Sequence, residues 1–190
     1  MLKRILTLIV AGLFAANFAA ASVILFGTYT WTGTELGESN RLNRIAPAST
    51  FSAPKSYPGS LASAGGGYTI VGVLGFSTVA WLDIDVTSTS TCCQSFVAAY
   101  LDSYDPLALA TNYLGDGGES PSTTFGPEHF QVIVPAGHSL VLVGQTVNSR
   151  TLALGNNFSF VVDQVPEPAT VSLAAGGLLP LLLAARRRKA

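Results

Sequence analysis

Residues 82–86 read Leu-Asp-Ile-Asp-Val, a strict alternation of apolar and acidic side chains. Successive side chains of a β-strand point to opposite faces of the sheet. Leu82, Ile84 and Val86 are therefore expected to face a core, while Asp83 and Asp85 face water. The same spacing of apolar residues recurs at Phe130, Val132 and Val134 and at Phe158, Phe160 and Val162.

Seven short runs predict strands, and turn residues separate them. The predicted strands are Val23–Thr32, Tyr68–Val73, Thr78–Val86, Gln94–Leu101, His129–Val134, Ser139–Val147 and Phe158–Val165. Pro135-Ala136-Gly137 predicts a hairpin between the fifth and sixth. Residues 41–66, rich in Ser, Ala, Pro and Gly, are interpreted as a long connection. The pattern predicts an all-β fold, a single antiparallel β-sandwich over residues 22–164.

The middle of the chain is poor in basic residues. Residues 22–165 contain ten acidic residues and only four basic ones, Arg41, Arg44, Lys55 and Arg150, so their formal charges sum to −6. A domain of this charge repels nucleic acid. Nucleic-acid binding is therefore excluded from the expected functions.

The first 21 residues contain the three parts of a secretory signal peptide in order. A basic start with Lys3 and Arg4 precedes an apolar run, residues 5–16, and an A-x-A site at residues 19–21. A buried N-terminal helix is the alternative, but it does not explain this order. We expect the secretion machinery to export the chain and signal peptidase to cleave between Ala21 and Ser22.

The C-terminal end is predicted to cross a membrane. Residues 169–185 carry no charge, and a helix of 17 residues spans about 25 Å, near the lower limit for a bilayer. A basic tail follows, and the positive-inside rule predicts that it stays in the cytoplasm. Its residues are Arg186, Arg187, Arg188 and Lys189. A buried core helix, the alternative, fits four consecutive basic residues poorly.

Pro166-Glu167-Pro168 stands immediately before this span. The tripeptide, apolar span and basic terminus over residues 165–190 together resemble the PEP-CTERM sorting signal. The resemblance implies that an exosortase, a membrane-embedded protease-transpeptidase of Gram-negative bacteria, cleaves near the tripeptide. Both prolines fix φ and lack an N–H, which keeps the segment extended. A rigid linker and permanent anchor is the alternative.

A second resemblance lies within the middle domain. Its residues are the stretch Tyr100-Leu101-Asp102-Ser103-Tyr104-Asp105-Pro106, the stretch Tyr113-Leu114-Gly115-Asp116-Gly117-Gly118, and Val134-Pro135-Ala136-Gly137. These pieces resemble jelly-roll-like β-sandwich modules of secreted bacterial proteins, such as pre-peptidase C-terminal and P domains. The resemblance implies a non-catalytic, adhesive or structural module, and some such modules bind calcium.

The adjacent cysteines Cys92 and Cys93 are the only two in the chain. Their Cα atoms lie about 3.8 Å apart, so a disulfide between them is strained. Two free thiols or an intermolecular bridge are the alternatives. A zinc site is not expected, because His129 and His138 lie too far along the chain to give ligand spacing.

No catalytic motif is recognisable in the sequence. His129 and His138 are interpreted as surface residues, and Asp102 with Asp105 as solvated acids rather than a glycosidase pair. The calcium candidates are Asp102, Asp105, Asp116 and Glu119, but they lack the order of an EF-hand. We assign no catalytic residue, no metal and no cofactor.

These observations give one leading functional hypothesis. The chain is expected to be an exported surface or extracellular-matrix protein of a Gram-negative bacterium, sorted by an exosortase. It would pass through the inner membrane, and exopolysaccharide is a candidate partner of its structural or adhesive sandwich. The alternatives are a secreted carbohydrate-active enzyme and a calcium-dependent carbohydrate-binding module.

The first prediction concerns the mature N-terminus. We expect exported protein to begin at Ser22, because the A-x-A site ends at Ala21. N-terminal sequencing of the exported protein measures this directly. A protein that begins at Met1 would refute the signal peptide.

Overall fold

A computed structural model of the chain describes residues 21–92 and 94–167. These residues form nine strands and one short helix. The elements are β1 Ser22–Thr30, β2 Leu36–Leu42, β3 Ser60–Gly75, β4 Ala80–Ser88, β5 Ser95–Leu101, β6 Tyr113–Asp116, β7 Glu128–Val134, β8 Ser139–Thr146, α1 Arg150–Ala153 and β9 Asn157–Val165. Six of the seven predicted strands agree with these bounds to within two residues at each end.

The strands form two sheets. One has the order β1-β9-β4-β7 and the other β2-β3-β8-β5-β6, with antiparallel pairing. Residues Ser22–Gln164 form one compact unit. This architecture confirms the predicted all-β, antiparallel β-sandwich.

The main core contains the residues that the alternating pattern predicted. Leu82, Ile84 and Val86 are fully buried, whereas Asp85 is exposed. The other predicted inward residues, Phe130, Val132, Val134, Phe158, Phe160 and Val162, are buried in the same cluster. Burying one such side chain stabilises the fold by about 1.5–3 kcal/mol. Asp83 is only partly exposed, because its carboxylate accepts a hydrogen bond of 2.6 Å from Gln131.

The five-stranded sheet buries its second face as well. Six successive residues of β5, from Ser95 to Tyr100, are buried, so both faces of this strand are covered. Phe96, Ala98 and Tyr100 belong to a second apolar cluster. Leu42 at the end of β2 and Leu109 in the β5–β6 connection cover it. The sandwich therefore has a core on each side of this sheet.

Two predictions about connections are wrong. Residues 41–66 are not one connection, because β2 includes Arg41 and Leu42 and β3 begins at Ser60. The sequence also predicts that Gly115-Asp116-Gly117-Gly118 lies in a longer connection, but the first two of these residues end strand β6. These strands are polar or glycine-rich and show little apolar alternation. Hydrogen bonds to neighbouring strands form them, and the sequence pattern does not encode those partners.

The hairpin predicted at Pro135-Ala136-Gly137 is also wrong. The turn exists, with a hydrogen bond of 3.3 Å from the N–H of His138 to the carbonyl of Pro135. However, β7 pairs with β4 in one sheet, whereas β8 pairs with β3 and β5 in the other. The turn therefore carries the chain from one sheet to the other. A local turn signal cannot distinguish these two outcomes.

Candidate functional site

The predicted processing residues lie at the two ends of the described chain. Ala21 is exposed and precedes β1, which begins at Ser22. Pro166 and Glu167 follow β9 without regular secondary structure, and Glu167 is exposed. The remaining predicted residues lie outside the described residues; they are Pro168, Arg186, Arg187, Arg188 and Lys189.

The four calcium candidates do not form a common site. Asp102 is exposed and contacts His138 at 2.7 Å, and Asp105 accepts a hydrogen bond of 2.8 Å from the N–H of Leu107. Asp116 is fully buried, whereas Glu119 is exposed. Within residues 21–92 and 94–167, no three His, Cys, Asp or Glu side chains are placed to hold a metal ion.

The two histidines and the cysteine pair have simpler surroundings. His129 lies 2.9 Å from Asp85, and both side chains are about half exposed. His138 is similarly exposed beside Asp102, which agrees with the interpretation of both histidines as surface residues. Cys92 is disulfide-bonded, so it is not a free thiol. Cys93 lies outside the described residues.

The densest group of charges is inside the protein, and we call it the buried charge cluster: Lys55, Asp116 and Glu128. The ammonium of Lys55 lies 2.5 Å from Oδ1 of Asp116, and these side chains are 9% and 0% exposed. Oδ1 also accepts a hydrogen bond of 2.6 Å from the N–H of Gly118. The hydroxyl of Tyr113 donates to Oδ2. Every oxygen of Asp116 is thus bonded, and water is excluded from the pair.

Glu128 completes the cluster in an unusual state. Its side chain is buried, and the N–H of Gly117 approaches its carboxyl group without forming a well-aligned hydrogen bond. It fills the space that a side chain at Gly117 would occupy, next to Asp116 in the chain. Burial, and then the negative charge of Asp116, raises the pKa of Glu128 well above its ordinary value. Both effects favour the protonated form of Glu128.

Another buried acid, Glu38, lies on β2 of the five-stranded sheet. Glu38 accepts hydrogen bonds of 2.8 Å from the amide of Gln145 and 2.9 Å from the hydroxyl of Tyr104. Burial raises the pKa of Glu38 to about 7, although these two bonds and the charge of Arg41 oppose the increase. Glu38 is thus expected to titrate near neutral pH.

Five tyrosine rings connect the region of Glu38 to the buried charge cluster. They are Tyr68, Tyr104, Tyr100, Tyr113 and Tyr57, and neighbouring centroids lie 4.8–6.0 Å apart. Their edge-to-face and tilted packing is favourable for aromatic rings. The rings provide the low-dielectric surroundings in which the three acids are held.

A surface cavity of about 340 Å³, which we call the arginine pocket, lies near this region. Its walls are Arg41, Asn43, Arg44, Leu61, Gly118, Glu119, Ser120 and Phe125. β2 and β3 place Arg41 opposite Leu61 in the strand register. Phe125 is carried on a turn closed by two hydrogen bonds between Ser122 and Gly126, of 3.0 and 2.8 Å. Its side chain is 62% exposed.

The two arginines of the pocket are fixed by different partners. Arg41 donates from Nε to the carbonyl of Val147 at 2.8 Å and from Nη1 to that of Leu42 at 2.9 Å. Arg44 donates from Nη1 to the hydroxyl of Ser120 at 2.8 Å. Burial, and then the positive charge of Arg41, lowers the pKa of Arg44. Arg41 and Arg44 outnumber Glu119, the one acid in the pocket wall, so the wall carries a net positive charge that favours an anionic ligand.

The sequence contains a signal for this pocket. Two of the four basic residues of the acidic middle, Arg41 and Arg44, stand three positions apart. Basic residues are rare in this domain, so two of them three positions apart indicate a site, even in a segment interpreted as a connection. Their convergence with Phe125 depends on the β2–β3 pairing, which was not predicted.

Comparisons with known proteins add little. No family model matches the chain, and no curated protein matches it. One solved structure, that of infectious bursal disease virus strain Gx, aligns at 12% identity with a TM-score of 0.30. The alignment covers 75% of this chain and 31% of the viral one, so the chain spans about a third of that protein. A likeness of this strength carries no argument.

None of the helices in residues 21–92 and 94–167 has the length and apolar composition needed to span a membrane. The predicted span, residues 169–185, lies outside that part of the chain.

The second prediction concerns Glu38 and pH. Its folded-state pKa of about 7 exceeds the ordinary 4.5, so the folded state binds this proton more tightly than the unfolded state. Stability should therefore fall as the pH rises from 4.5 to 7, by about 3 kcal/mol from this group, and then level off. Urea unfolding at a series of pH values measures this decrease.

Glu38→Gln should make the decrease shallower, because the amide keeps an acceptor for Tyr104 and Gln145 but does not titrate. Glu128 contributes with the same sign, so some decrease remains. Ser39→Ala, an exposed change on the same strand, is the control. An identical pH dependence in Glu38→Gln and the parent would contradict the prediction.

Proposed function

We propose that the chain is an exported surface or matrix protein whose β-sandwich binds an acidic polysaccharide and whose tail is an exosortase signal. The arginine pocket is the observation that carries the binding role. Arg41 and Arg44 supply N–H donors for a carboxylate. A planar guanidinium group can donate two parallel hydrogen bonds to the two oxygens of such a group. The exposed ring of Phe125 offers a face for a sugar, and the amide of Asn43 can bond a hydroxyl.

The net negative charge of the domain limits which anionic ligands it can bind. Ten acids against four bases repel a densely charged polymer. A polysaccharide with isolated acidic sugars places one anion in the pocket and neutral sugars elsewhere. Exopolysaccharide of this kind is our proposed partner.

The enzyme alternative has less support. A glycosidase requires two carboxyl groups that reach the substrate. The two neighbouring carboxyl groups with contrasting environments, Asp116 and Glu128, are both buried. The exposed candidates, Asp102 and Asp105, are bonded to His138 and to a backbone N–H. We therefore propose a non-catalytic domain.

Two features support the finer proposals about fold and sorting. The order β1-β9-β4-β7 against β3-β8-β5-β6, with β2 added at one edge, is the arrangement expected of a jelly roll. Pro166 and exposed Glu167 follow directly after the last strand.

The third prediction tests sorting. Glu167→Ala removes the charge between the two prolines and leaves the apolar span and basic tail intact. We expect export to continue and uncleaved precursor to accumulate in the membrane fraction of a host with an exosortase. Deletion of residues 186–189 should instead disturb orientation. If the parent keeps its tail beside an active exosortase, the segment is a permanent anchor.

The fourth prediction tests the pocket. The full chain in mild detergent should bind an oligosaccharide that contains one glucuronate, as measured by calorimetry. Arg44→Gln should weaken binding roughly tenfold or more, since a hydrogen bond to a charged group contributes about 1.5–3 kcal/mol. Phe125→Ala should weaken it too, and added salt should weaken binding by the parent.

Arg150→Gln is the matched control, because Arg150 also donates to a backbone carbonyl but is not part of the pocket wall. The same oligosaccharide with its carboxylate reduced to an alcohol should bind poorly. Equal binding of the reduced sugar, or of polyglutamate, would contradict an acidic-sugar site.

A further inference from the structure

The buried charge cluster combines an amine, a carboxyl group and a second carboxyl group inside the protein. Lys55 Nζ lies 2.5 Å from Asp116 Oδ1, so the amine already touches the carboxyl group whose carbon, Cγ, it would attack. Asp116 is fully buried and Lys55 is 9% exposed. Proximity of this kind converts a bimolecular reaction into an intramolecular one. Neither the sorting signal nor the arginine pocket uses these residues.

We propose that Lys55 and Asp116 become joined by an amide bond between Nζ and Cγ, and that Glu128 carries the proton that the reaction moves. The product is an intramolecular cross-link between two side chains. It is independent of the proposed function, since it concerns the fold of the sandwich itself.

The reaction balances without any co-reactant. Within the ion pair the ammonium first returns one proton to the carboxylate. The freed electron pair of Nζ attacks Cγ, and the N–C bond forms. Glu128 donates its proton to the departing oxygen, the C–O bond breaks, and one water leaves. The nitrogen then returns a proton to Glu128, so an ammonium and a carboxylate have become an amide and a water.

The surroundings of Asp116 suit the intermediate. The N–H of Gly118 donates to Oδ1 at 2.6 Å, and the hydroxyl of Tyr113 donates to Oδ2. These donors can stabilise the negative charge that develops on oxygen when nitrogen attacks. Burial raises the pKa of Tyr113, which keeps this hydroxyl a donor.

Glu128 is suited to carry the proton. Its buried side chain packs against Gly117, the residue that follows Asp116 in the chain. Burial, and then the charge of Asp116, raises its pKa, whereas a hydrogen bond from the N–H of Gly117 and then the charge of Lys55 lower it.

Two hydrogen bonds from backbone N–H groups hold the segment around Lys55 against β6. The N–H of Lys55 donates to the hydroxyl of Ser49 at 3.2 Å, and the N–H of Ser49 donates to the carbonyl of Asp116 at 2.9 Å. Residues 49–55 are therefore attached to β6 at both the backbone and the side chain. The cross-link would close a loop between positions 61 apart, which fastens this connection over the outer face of the sheet.

Intact-mass spectrometry of the full chain, purified in detergent with its disulfide reduced, tests the proposal. We expect the parent to be lighter by one water than its sequence requires. Lys55→Arg and Glu128→Gln should each retain that water, after correction for the exchanged residue. Proteolysis of the parent should yield a branched peptide that joins Lys55 to Asp116.

Arg150→Gln is the control, and it should lose the water as the parent does. Circular dichroism checks that each variant is folded. A folded parent with the full sequence mass and no branched peptide would overturn the cross-link, whatever the variants do. A cross-link that forms in Glu128→Gln at the parental rate would overturn the role of Glu128.

Discussion

Burial of the outer face of the five-stranded sheet is the constraint on which the rest of the structure depends. A sandwich needs only its two inner faces buried, yet β5 is covered on both sides over six residues. The cover is made from connections and short strands, which bring polar groups with them. Because backbone and side-chain polar groups cannot be buried without partners, this face had to become a hydrogen-bonded network. Its tyrosines, acids and basic residues are the result.

Three of the four acids buried in the described part of the chain are held in different ways; Asp116 and Glu38 lie on strands of the five-stranded sheet, and Glu128 lies on β7 of the other sheet. Asp116 is ionically paired with Lys55 and bonded at both oxygens. Glu38 is hydrogen-bonded to Gln145 and Tyr104, and its pKa moves to about 7. Glu128 is buried against Gly117, and burial favours its protonated form. Three carboxyl side chains thus have three different electrostatic surroundings in the folded protein.

The inner network and the surface pocket share one structural origin. Gly118, which donates to Asp116, also lines the arginine pocket, and its φ of +82° suits glycine. A side chain there would meet the Cα atom of Ala46 at 2.9 Å. The turn after β6 therefore fixes both the carboxyl group of Asp116 and one wall of the pocket. The arginine pocket at the surface and the buried charge cluster are therefore linked through this turn.

The sequence by itself determined the class of fold, because alternation such as Leu82-Asp83-Ile84-Asp85-Val86 is a local property that needs no knowledge of partners. It also determined which of these side chains face the core. It did not give β2, β6 or the partner of β8, since strand pairing joins residues distant in sequence and polar strands carry no periodic signal. Asp116 was identified from the sequence only as one of four candidate calcium ligands. Tertiary structure alone decided that it lies beside Lys55, 61 positions away, because only folding excludes water from that pair and brings Glu128 next to it.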